Sequence, residues 1–235
     1  MAVAAAALYP GLKDHIDLQI RYLHASSMGN GNILDVGCGD GEALEILRDL
    51  GWQVCGVDFD PQAVETARKS NLDVRQGSLA DAAFSDEAFD AITSSHVIEH
   101  LHDPLAFIVE SRRVLRTGGT LVTVTPNAQA WSHEKFGADW LGLDPPRHLV
   151  LFTAESLRNL AESAGFRNVR VSTTARAVAL TEIASSKIRD EGQYQWGKWP
   201  GILTWSRAQT IQYLASLSLK FGRIQGDELV LMATK

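Results

Sequence analysis

The chain has little cysteine, no excess of positive charge and no long apolar run, and each shortage excludes a class of protein. Its two cysteines, Cys38 and Cys55, form no CxxC pair, and no Cys/His cluster has the spacing of a zinc site. The simplest interpretation is a reduced, cytoplasmic chain without a bound metal. The net charge of -6 disfavours nucleic acid as a partner, because a phosphate backbone repels an acidic protein.

Membrane insertion is equally disfavoured. No window reaches the roughly 18 consecutive apolar residues that a transmembrane helix requires. The apolar start of the chain lacks the basic residues that open a secretory signal. We therefore expect no transmembrane segment and no cleaved leader.

What remains is the composition of one globular domain. The chain has 235 residues, of which 45% are hydrophobic and 21% are charged, and this suits a single α/β domain with some covering structure. Tryptophan is unevenly distributed, because every Trp except Trp52 falls between Trp131 and Trp205.

Short buried strands alternate with helices over residues 32–166. Asp60-Pro61 and Asp103-Pro104 each pair a capping residue with a proline that suits the first helical turn, and Thr153 is a third cap. The pair at 118–119 is predicted to end the helix that follows Asp103. Strands joined by helices pair in parallel through right-handed crossovers, which predicts an open, doubly wound sheet. The predicted strands are 33–36, 53–57, 73–76, 91–94, 120–125, 169–173 and 228–234.

The alternation breaks at residues 175–226. Within this stretch, 202–221 fits an amphipathic helix with Leu203, Ile211 and Leu214 on one side and Gln212 and Ser216 opposite. A membrane-surface helix would be richer in Lys and Arg, so we expect this helix to pack on its own domain, and peripheral membrane contact is not favoured.

A glycine loop gives the most specific functional signal. The run DVGCGDG at 35–41 follows a strand and opens a helix, so its glycines allow a tight turn and close approach of a ligand. A nicotinamide dinucleotide fingerprint would need G-x-G-x-x-G, but here the third glycine, Gly41, comes one residue early. Asp35 and Asp40 flank the loop, and they suit an amino or sulfonium group better than a phosphate.

Asp58 is the second signal. It ends the next strand, about where doubly wound folds place the acidic residue that holds a ribose, roughly 20 residues after the glycines. Asp58 either takes this role or only caps the turn before Asp60. The loop together with Asp58 predicts a nucleoside ligand with a cationic or zwitterionic tail.

Five motifs in order resemble class I S-adenosylmethionine-dependent methyltransferases, in particular the small-molecule branch that includes ubiquinone-type O-methyltransferases. They are ILDVGCGDG at 33–41, GVDFD at 56–60, FDAI at 89–92, VIEHL at 97–101 and GGTL at 118–121. The resemblance implies a mostly parallel, seven-stranded, Rossmann-like sheet with an antiparallel last strand. It implies one methyltransferase domain made of an N-terminal helical cap (1–31), a core (32–174), a helical insertion or lid (175–226) and the last strand (227–235).

The same resemblance implies S-adenosyl-L-methionine as cofactor, S-adenosyl-L-homocysteine as product, and a set of contacts. Asp35 and the backbone of the loop would hold the methionine part, Asp58 the ribose, and Phe59 the adenine. Ser78 stands where the family often has Asp. The full expected set is Asp35, Gly37, Cys38, Gly39, Asp58, Phe59, Ser78, Leu79, Ser94, Ser95 and His96.

The acceptor side is predicted at the long loop after the fifth strand, since ligands in open α/β sheets lie beyond the carboxyl ends of the strands. His148 and His133 are the candidate general bases for a hydroxyl acceptor, although either could simply hold the loop. Arg147 either binds an anionic group or pairs with Asp144. Asn127, Trp131, Trp140 and Arg147 are the candidate substrate-binding residues, and no metal triad is evident.

The leading hypothesis is methyl transfer to a small molecule, with oxygen as the acceptor atom. The alternatives are a regulatory protein that binds S-adenosylmethionine without turnover, and an N- or C-methyltransferase of a small molecule. The later tryptophans either wall an aromatic acceptor pocket or only attach the insertion to the core.

Overall fold

The computed structural model describes Leu23 and residues 31–198, 200–222 and 225–235. The predicted N-terminal cap therefore lies outside the described residues, apart from Leu23 and Gly31, as does Trp199. The helices are α1 (Glu42–Asp49), α2 (Pro61–Lys69), α3 (Pro104–Val114), α4 (Trp131–Phe136), α5 (Ala154–Ser163), α6 (Val178–Glu191) and α7 (Ile202–Lys220).

The sheet has seven strands and confirms the predicted architecture. Their spatial order is β3-β2-β1-β4-β5-β7-β6, and β7 runs antiparallel to both of its neighbours. The order reverses between β1 and β4, so the chain leaves these two strands in opposite directions and opens a crevice there. The strands are β1 (Asn32–Val36), β2 (Gln53–Asp58), β3 (Asp73–Gln76), β4 (Phe89–Ser95), β5 (Leu115–Pro126), β6 (Arg167–Thr174) and β7 (Glu228–Thr234).

Local capping explains where the core helices begin. The Asp60 carboxylate accepts a hydrogen bond from the Gln62 amide at 2.8 Å, and Asp103 accepts one from the Ala106 amide at 2.9 Å. Thr153 forms a capping box with the residue three positions later. All three predicted caps are therefore confirmed.

The predicted role of Gly118 and Gly119 is wrong. The helix α3 already ends at Val114, and the glycine pair lies inside β5, where the pairing with β4 shifts register. A Cβ on Gly119 would approach the backbone oxygen of Asp90 to 3.0 Å, so close backbone contact is what requires a glycine here.

The predicted orientation of α7 is also wrong. The helix packs on its domain as expected, but through Ala208 and Ala215, with Ile211 beside them, rather than through its larger side chains. Leu203 and Leu214 are exposed. Small residues allow α7 to approach α6 closely, and this favours the alanine face over the leucine face.

The core fills both sides of the sheet. The larger cluster includes Ile108 and Leu157 from the helices and Leu229 from β7, and the opposite face packs Leu47 and Trp52. Among the described helices, none is both long and apolar enough to cross a membrane.

Candidate active site

Two cavities of similar size open at the carboxyl ends of the strands. The first, of about 460 Å³, lies beyond β1, β2 and β3 and includes Asp58 in its wall. The second, of about 450 Å³, lies between the loop after β5 and α6 and includes His148. His96 and His100 line both cavities, so the two spaces meet at these side chains.

The glycines of the loop at 37–41 have different tasks. Gly37 has φ +73°, lines the first cavity, and has no room for a side chain, because a Cβ would lie 2.3 Å from a Val97 methyl group. Gly41 has φ +91° and faces away into the core, where a Cβ would lie 2.3 Å from a Leu72 methyl group. The early third glycine therefore serves the packing of α1 rather than the ligand.

Asp58 is placed for both of the roles that its position allows, ribose binding and capping of the turn before Asp60. Its Oδ2 accepts a hydrogen bond from the Gly39 amide at 2.8 Å, and its Oδ1 accepts one from the Asp60 amide at 2.9 Å. The carboxylate therefore fixes the glycine loop and the entry to α2 while it lines the first cavity. Each oxygen keeps a second lone pair for a ligand hydroxyl.

The rest of the expected cofactor set divides into two groups. Asp35 and Ser94 are buried behind the cavity wall, where Asp35 accepts a hydrogen bond from the Thr93 hydroxyl at 2.6 Å. The burial of Cys38 raises its pKa to about 12, so its thiol is no nucleophile. Gly37, Asp58, Phe59, Ser78, Leu79 and His96 line the first cavity, whereas Asp35, Cys38, Gly39, Ser94 and Ser95 do not.

Ser78 is already engaged. Its hydroxyl donates to Asp81 Oδ2 at 2.6 Å, and its amide donates to the same oxygen at 3.0 Å. These two bonds hold the pKa of Asp81 below its ordinary value. The Asp81 carboxylate therefore lies next to position 78, where the family often has Asp. Ser78 lines the first cavity and connects this carboxylate to it.

A charged network surrounds His96 at the junction of the cavities. Its Nδ1 donates to Glu99 at 3.1 Å and its Nε2 donates to Glu228 at 3.0 Å. Burial favours the neutral ring, but these two bonds outweigh it and raise the pKa of His96 to about 10, so the ring is an imidazolium. Its backbone has φ +56°, an uncommon conformation for a residue with a side chain, which the network maintains.

Arg176 completes this network from the segment that follows β6. Burial favours the protonated form of Glu228, but hydrogen bonds from His96 and Arg176 outweigh it and hold the pKa of Glu228 below its ordinary value. The positive charges of His96 and Arg176 are therefore balanced by the carboxylates of Glu228 and Glu99. Sequence reasoning missed Arg176 and Glu228, since they belong to different elements and lie far apart in the chain.

Two further histidines are held by backbone carbonyls. His100 Nδ1 donates to the Arg147 carbonyl at 2.9 Å, and His148 Nδ1 donates to the Gly142 carbonyl at 2.7 Å. A carbonyl can only accept, so Nδ1 of each ring carries a proton, and Nε2 is the nitrogen left to face a ligand. With Glu99, the two rings place ligand atoms within 4.8 Å of one another, and within the described part of the chain this is the group that could hold a metal ion.

Backbone bonds also anchor the acceptor loop to the short turn that follows β4. The amides of Leu149 and Val150 both donate to the Glu99 carbonyl, at 2.8 and 3.1 Å. On its other side the loop is held by α6, whose Ser185 hydroxyl accepts a hydrogen bond from the Leu141 amide at 2.9 Å. The loop is therefore fixed at both edges of the second cavity.

Only some of the predicted acceptor residues reach the second cavity. Trp140, Arg147 and His148 line it, together with Trp196 from the insertion. Arg147 forms an ion pair with Asp144, which is one of the two alternatives predicted for it. The others serve the loop itself: the Asn127 amide donates to the Gly226 carbonyl at 2.8 Å, Trp131 packs under Lys135, and His133 stacks on Trp140 with ring centroids 4.4 Å apart.

Asp227 is a second residue that sequence reasoning missed. It is buried in the wall of the second cavity, where its Oδ1 accepts a hydrogen bond from Ser132. Its Oδ2 has no hydrogen-bond partner within the described structure. Burial, together with repulsion from Glu228 and Glu182, outweighs the interactions with the Ser132 and Thr181 hydroxyls and raises the pKa of Asp227 to about 6. The available signal was the acidic pair 227–228 at the start of an otherwise apolar strand.

Comparison with known proteins identifies the family from the sequence and finds a matching fold among solved structures. A profile of the methyltransferase domain family matches residues 14–171, more than half of the chain. A probable S-adenosylmethionine-dependent methyltransferase of Mycolicibacterium smegmatis is 35% identical over 140 residues, which cover 57% of this chain and 51% of that protein. A ubiquinone biosynthesis O-methyltransferase of Xanthomonas campestris is 36% identical over 128 residues, covering 52% and 51%.

A solved structure extends the likeness over the whole fold. An S-adenosylmethionine-dependent methyltransferase from Archaeoglobus fulgidus superposes with a TM-score of 0.65 at 19% identity and covers 99% of both chains. The alignments with the two sequence relatives span about half the length of those proteins. The chain therefore belongs to the methyltransferase domain family, in agreement with its resemblance to class I S-adenosylmethionine-dependent methyltransferases.

Proposed function

We propose that this protein transfers the methyl group of S-adenosyl-L-methionine to a hydroxyl oxygen of a small molecule and releases S-adenosyl-L-homocysteine. The observation that carries the proposal is the junction of the two cavities at His96 and His100. One cavity has the features expected for a nucleoside ligand, and the other is a partly aromatic cleft. Because the two cavities share these lining residues, ligands bound in them would lie side by side.

The residues of the first cavity fit the cofactor. Phe59 is 63% exposed although it is a large aromatic side chain, and it stands in the cavity wall where it can cover an adenine ring. Asp58 would take the ribose hydroxyls with its remaining lone pairs. A Cβ built on Gly39 meets nothing within 4 Å, so the glycine loop leaves open space beside the carboxylate.

S-adenosylmethionine would supply an activated methyl group, and the leaving group is neutral, so the protein mainly aligns the reactants and excludes water. His148 Nε2 is placed to accept the proton that an acceptor hydroxyl loses, since its Nδ1 is already bonded to a carbonyl. Asp227 Oδ2 would accept a hydrogen bond from a second polar group of the acceptor. We propose that His133 acts on the acceptor only through Trp140, on which it stacks.

Oxygen as the acceptor atom rests on two points: the presence of a candidate base, and the relatives named as ubiquinone biosynthesis O-methyltransferases. The second cavity is lined by Trp140, Trp196 and Leu180, which suits an aromatic or otherwise apolar acceptor. We further propose a cytoplasmic location, which fits two buried, free cysteines. The acidic net charge argues against nucleic acid as the acceptor.

Calorimetric titration with S-adenosylmethionine tests the first half of the proposal. Asp58→Ala should weaken binding roughly 10- to 150-fold, because hydrogen bonds to a charged group contribute about 1.5–3 kcal/mol. Asp60→Ala is the matched control: it removes a helix cap at a cost of about 1 kcal/mol in stability but should leave the affinity unchanged. No heat at millimolar cofactor would refute the proposal.

Detection of the product tests the second half. The protein is incubated with S-adenosylmethionine and a cytosolic metabolite extract, and S-adenosylhomocysteine is measured by mass spectrometry. Extract-dependent product supports methyl transfer. Cofactor binding without extract-dependent product favours the alternative of a regulatory protein, and a product methylated on nitrogen or carbon would correct the acceptor atom.

A further inference from the structure

The outward face of α7 exposes several large aliphatic side chains. Leu203 is 82% exposed, Ile202 74% and Leu214 55%. At 3.6 residues per turn these side chains lie opposite Ala208 and Ala215, which pack on α6. In a soluble helix the large aliphatic side chains usually face the core, but on α7 they face outward and small side chains are buried. A patch of exposed apolar side chains of this kind marks an interaction surface.

The charge of this region is also unlike the rest of the chain. Residues 192–226 contain no Asp or Glu, although the chain as a whole has a net charge of -6. On α7 the two basic residues, Arg207 and Lys220, are both exposed and flank the apolar face on opposite edges. An apolar strip bordered by cations without any acidic residue is complementary to an anionic lipid surface.

Aromatic side chains are also exposed in this region. Tyr213 is exposed on α7, and Trp196 is 62% exposed just before the helix. Tyr194 packs against the buried cluster of Ala179, Ile183 and Ala208, and it meets Trp196 edge to face at 5.1 Å between centroids. Tyrosine and tryptophan favour the boundary between acyl chains and headgroups.

Trp196, which is exposed just before α7, also lines the second cavity. We propose that α7 docks this protein on the surface of an anionic phospholipid bilayer, with Leu203 and Leu214 in the acyl boundary and Arg207 and Lys220 on the phosphates. The helix lies in the plane of the interface. This docking is independent of the methyl transfer proposed above.

A second copy of the chain fits this face less well than a bilayer does. In a two-fold symmetric dimer the same patch meets itself, so Arg207 and Lys220 of both copies would be gathered at one interface. The helix has no acidic residue to pair with them. Sequence reasoning disfavoured membrane contact because the region has few basic residues, but binding depends on apolar area as well as on charge, and the structure exposes the apolar side.

Co-sedimentation with vesicles tests the proposal. The full chain should pellet with vesicles of phosphatidylcholine that contain a third of phosphatidylglycerol, and it should remain in solution with pure phosphatidylcholine. The double variant Leu203→Glu/Leu214→Glu should lower the partition coefficient roughly tenfold or more, because each leucine loses its burial in the acyl boundary. Leu105→Glu is the matched control, since Leu105 is exposed in the first turn of α3, where an acidic residue is tolerated.

A second variant makes the test independent of the leucines. Arg207→Gln/Lys220→Gln should lower binding to the anionic vesicles and weaken its dependence on salt, while thermal unfolding stays unchanged. The proposal is overturned if the wild-type protein stays in the supernatant with anionic vesicles, or if the leucine variant pellets as the wild type does. It is also overturned if the leucine variant only converts a dimer into a monomer in sedimentation velocity.

Discussion

Replacement of Asp227 by Asn should stabilise the protein near neutral pH, which is unusual for a buried residue with a hydrogen bond. The pKa of Asp227 rises from 3.8 to about 6 in the folded state, so folding favours the protonated carboxyl. At about 1.4 kcal/mol for each pKa unit, a rise of this size corresponds to about 3 kcal/mol. The wild-type protein therefore loses about this much stability as the pH rises from about 4 to 6, and the loss is complete above that range.

The amide introduced by Asp227→Asn would imitate the protonated carboxyl at every pH, because its oxygen can still accept the bond from Ser132. The stability difference between this variant and the wild type should therefore be small near pH ~4 and should grow to about 3 kcal/mol in favour of the variant near pH ~7.5. Urea unfolding of both proteins at the two pH values measures this difference, and the other titrating groups cancel in it. Ser132→Ala should shift the rise to higher pH, since the bond from Ser132 lowers the pKa.

An equal difference at both pH values would refute the reasoning, because the Asp227 carboxylate would then carry no penalty from burial. A larger difference at the acidic pH would reverse the sign. If the prediction holds, Asp227 lowers the stability of the protein by about 3 kcal/mol at neutral pH. A residue that is kept in a cavity wall at such a loss of stability is typical of a functional site rather than of a structural one.

Three further predictions concern the loop, the charged network and the candidate base. Gly41→Ala should lower the free energy of unfolding by about 2–4 kcal/mol, because the new Cβ would overlap a core side chain. Gly118 also has a positive φ but lies in open space, so Gly118→Ala should cost only about 1 kcal/mol. Equal losses of stability in urea unfolding would contradict this prediction. Glu228→Gln should lower the free energy of unfolding by about 3–5 kcal/mol, because the two partly buried cations, His96 and Arg176, would share one carboxylate fewer. A loss below about 1 kcal/mol in thermal unfolding would mean that the network is not coupled. His148→Gln should lower product formation roughly 100-fold or more at unchanged cofactor affinity. His133→Gln should stay within about tenfold of the wild type, and a reversed order of the two variants would exchange their roles.

Local signals made most of the core predictable. Asp60, Asp103 and Thr153 begin their helices because each side chain bonds to an amide two or three residues later, and nothing distant is needed. The strand positions followed equally from short apolar runs. The glycine loop and Asp58 could be assigned from spacing, since both act within a single strand-turn-helix unit.

Features that depend on tertiary contact were not predictable. The pattern of α7 is compatible with either of two faces, and only the close approach of α6 selects Ala208 over Leu203 for burial. The bond between Arg176 and Glu228 joins residues 52 positions apart in the chain, and His96 is 132 positions from Glu228. The raised pKa of Asp227 likewise comes from burial that no local pattern indicates.

The way in which the acceptor loop is anchored has a consequence for how this family can diversify. The amides of Leu149 and Val150 bind the carbonyl of Glu99, and the carbonyls of Arg147 and Gly142 receive the two histidine rings. At these loop positions the bonds are made by the main chain, so the side chains of Arg147, Leu149 and Val150 can mutate while the frame is kept. Gly142 is fixed instead, because a Cβ there would lie 2.3 Å from the Trp140 ring. A lineage could therefore exchange one acceptor for another by point substitutions that face the second cavity, without having to evolve a new loop.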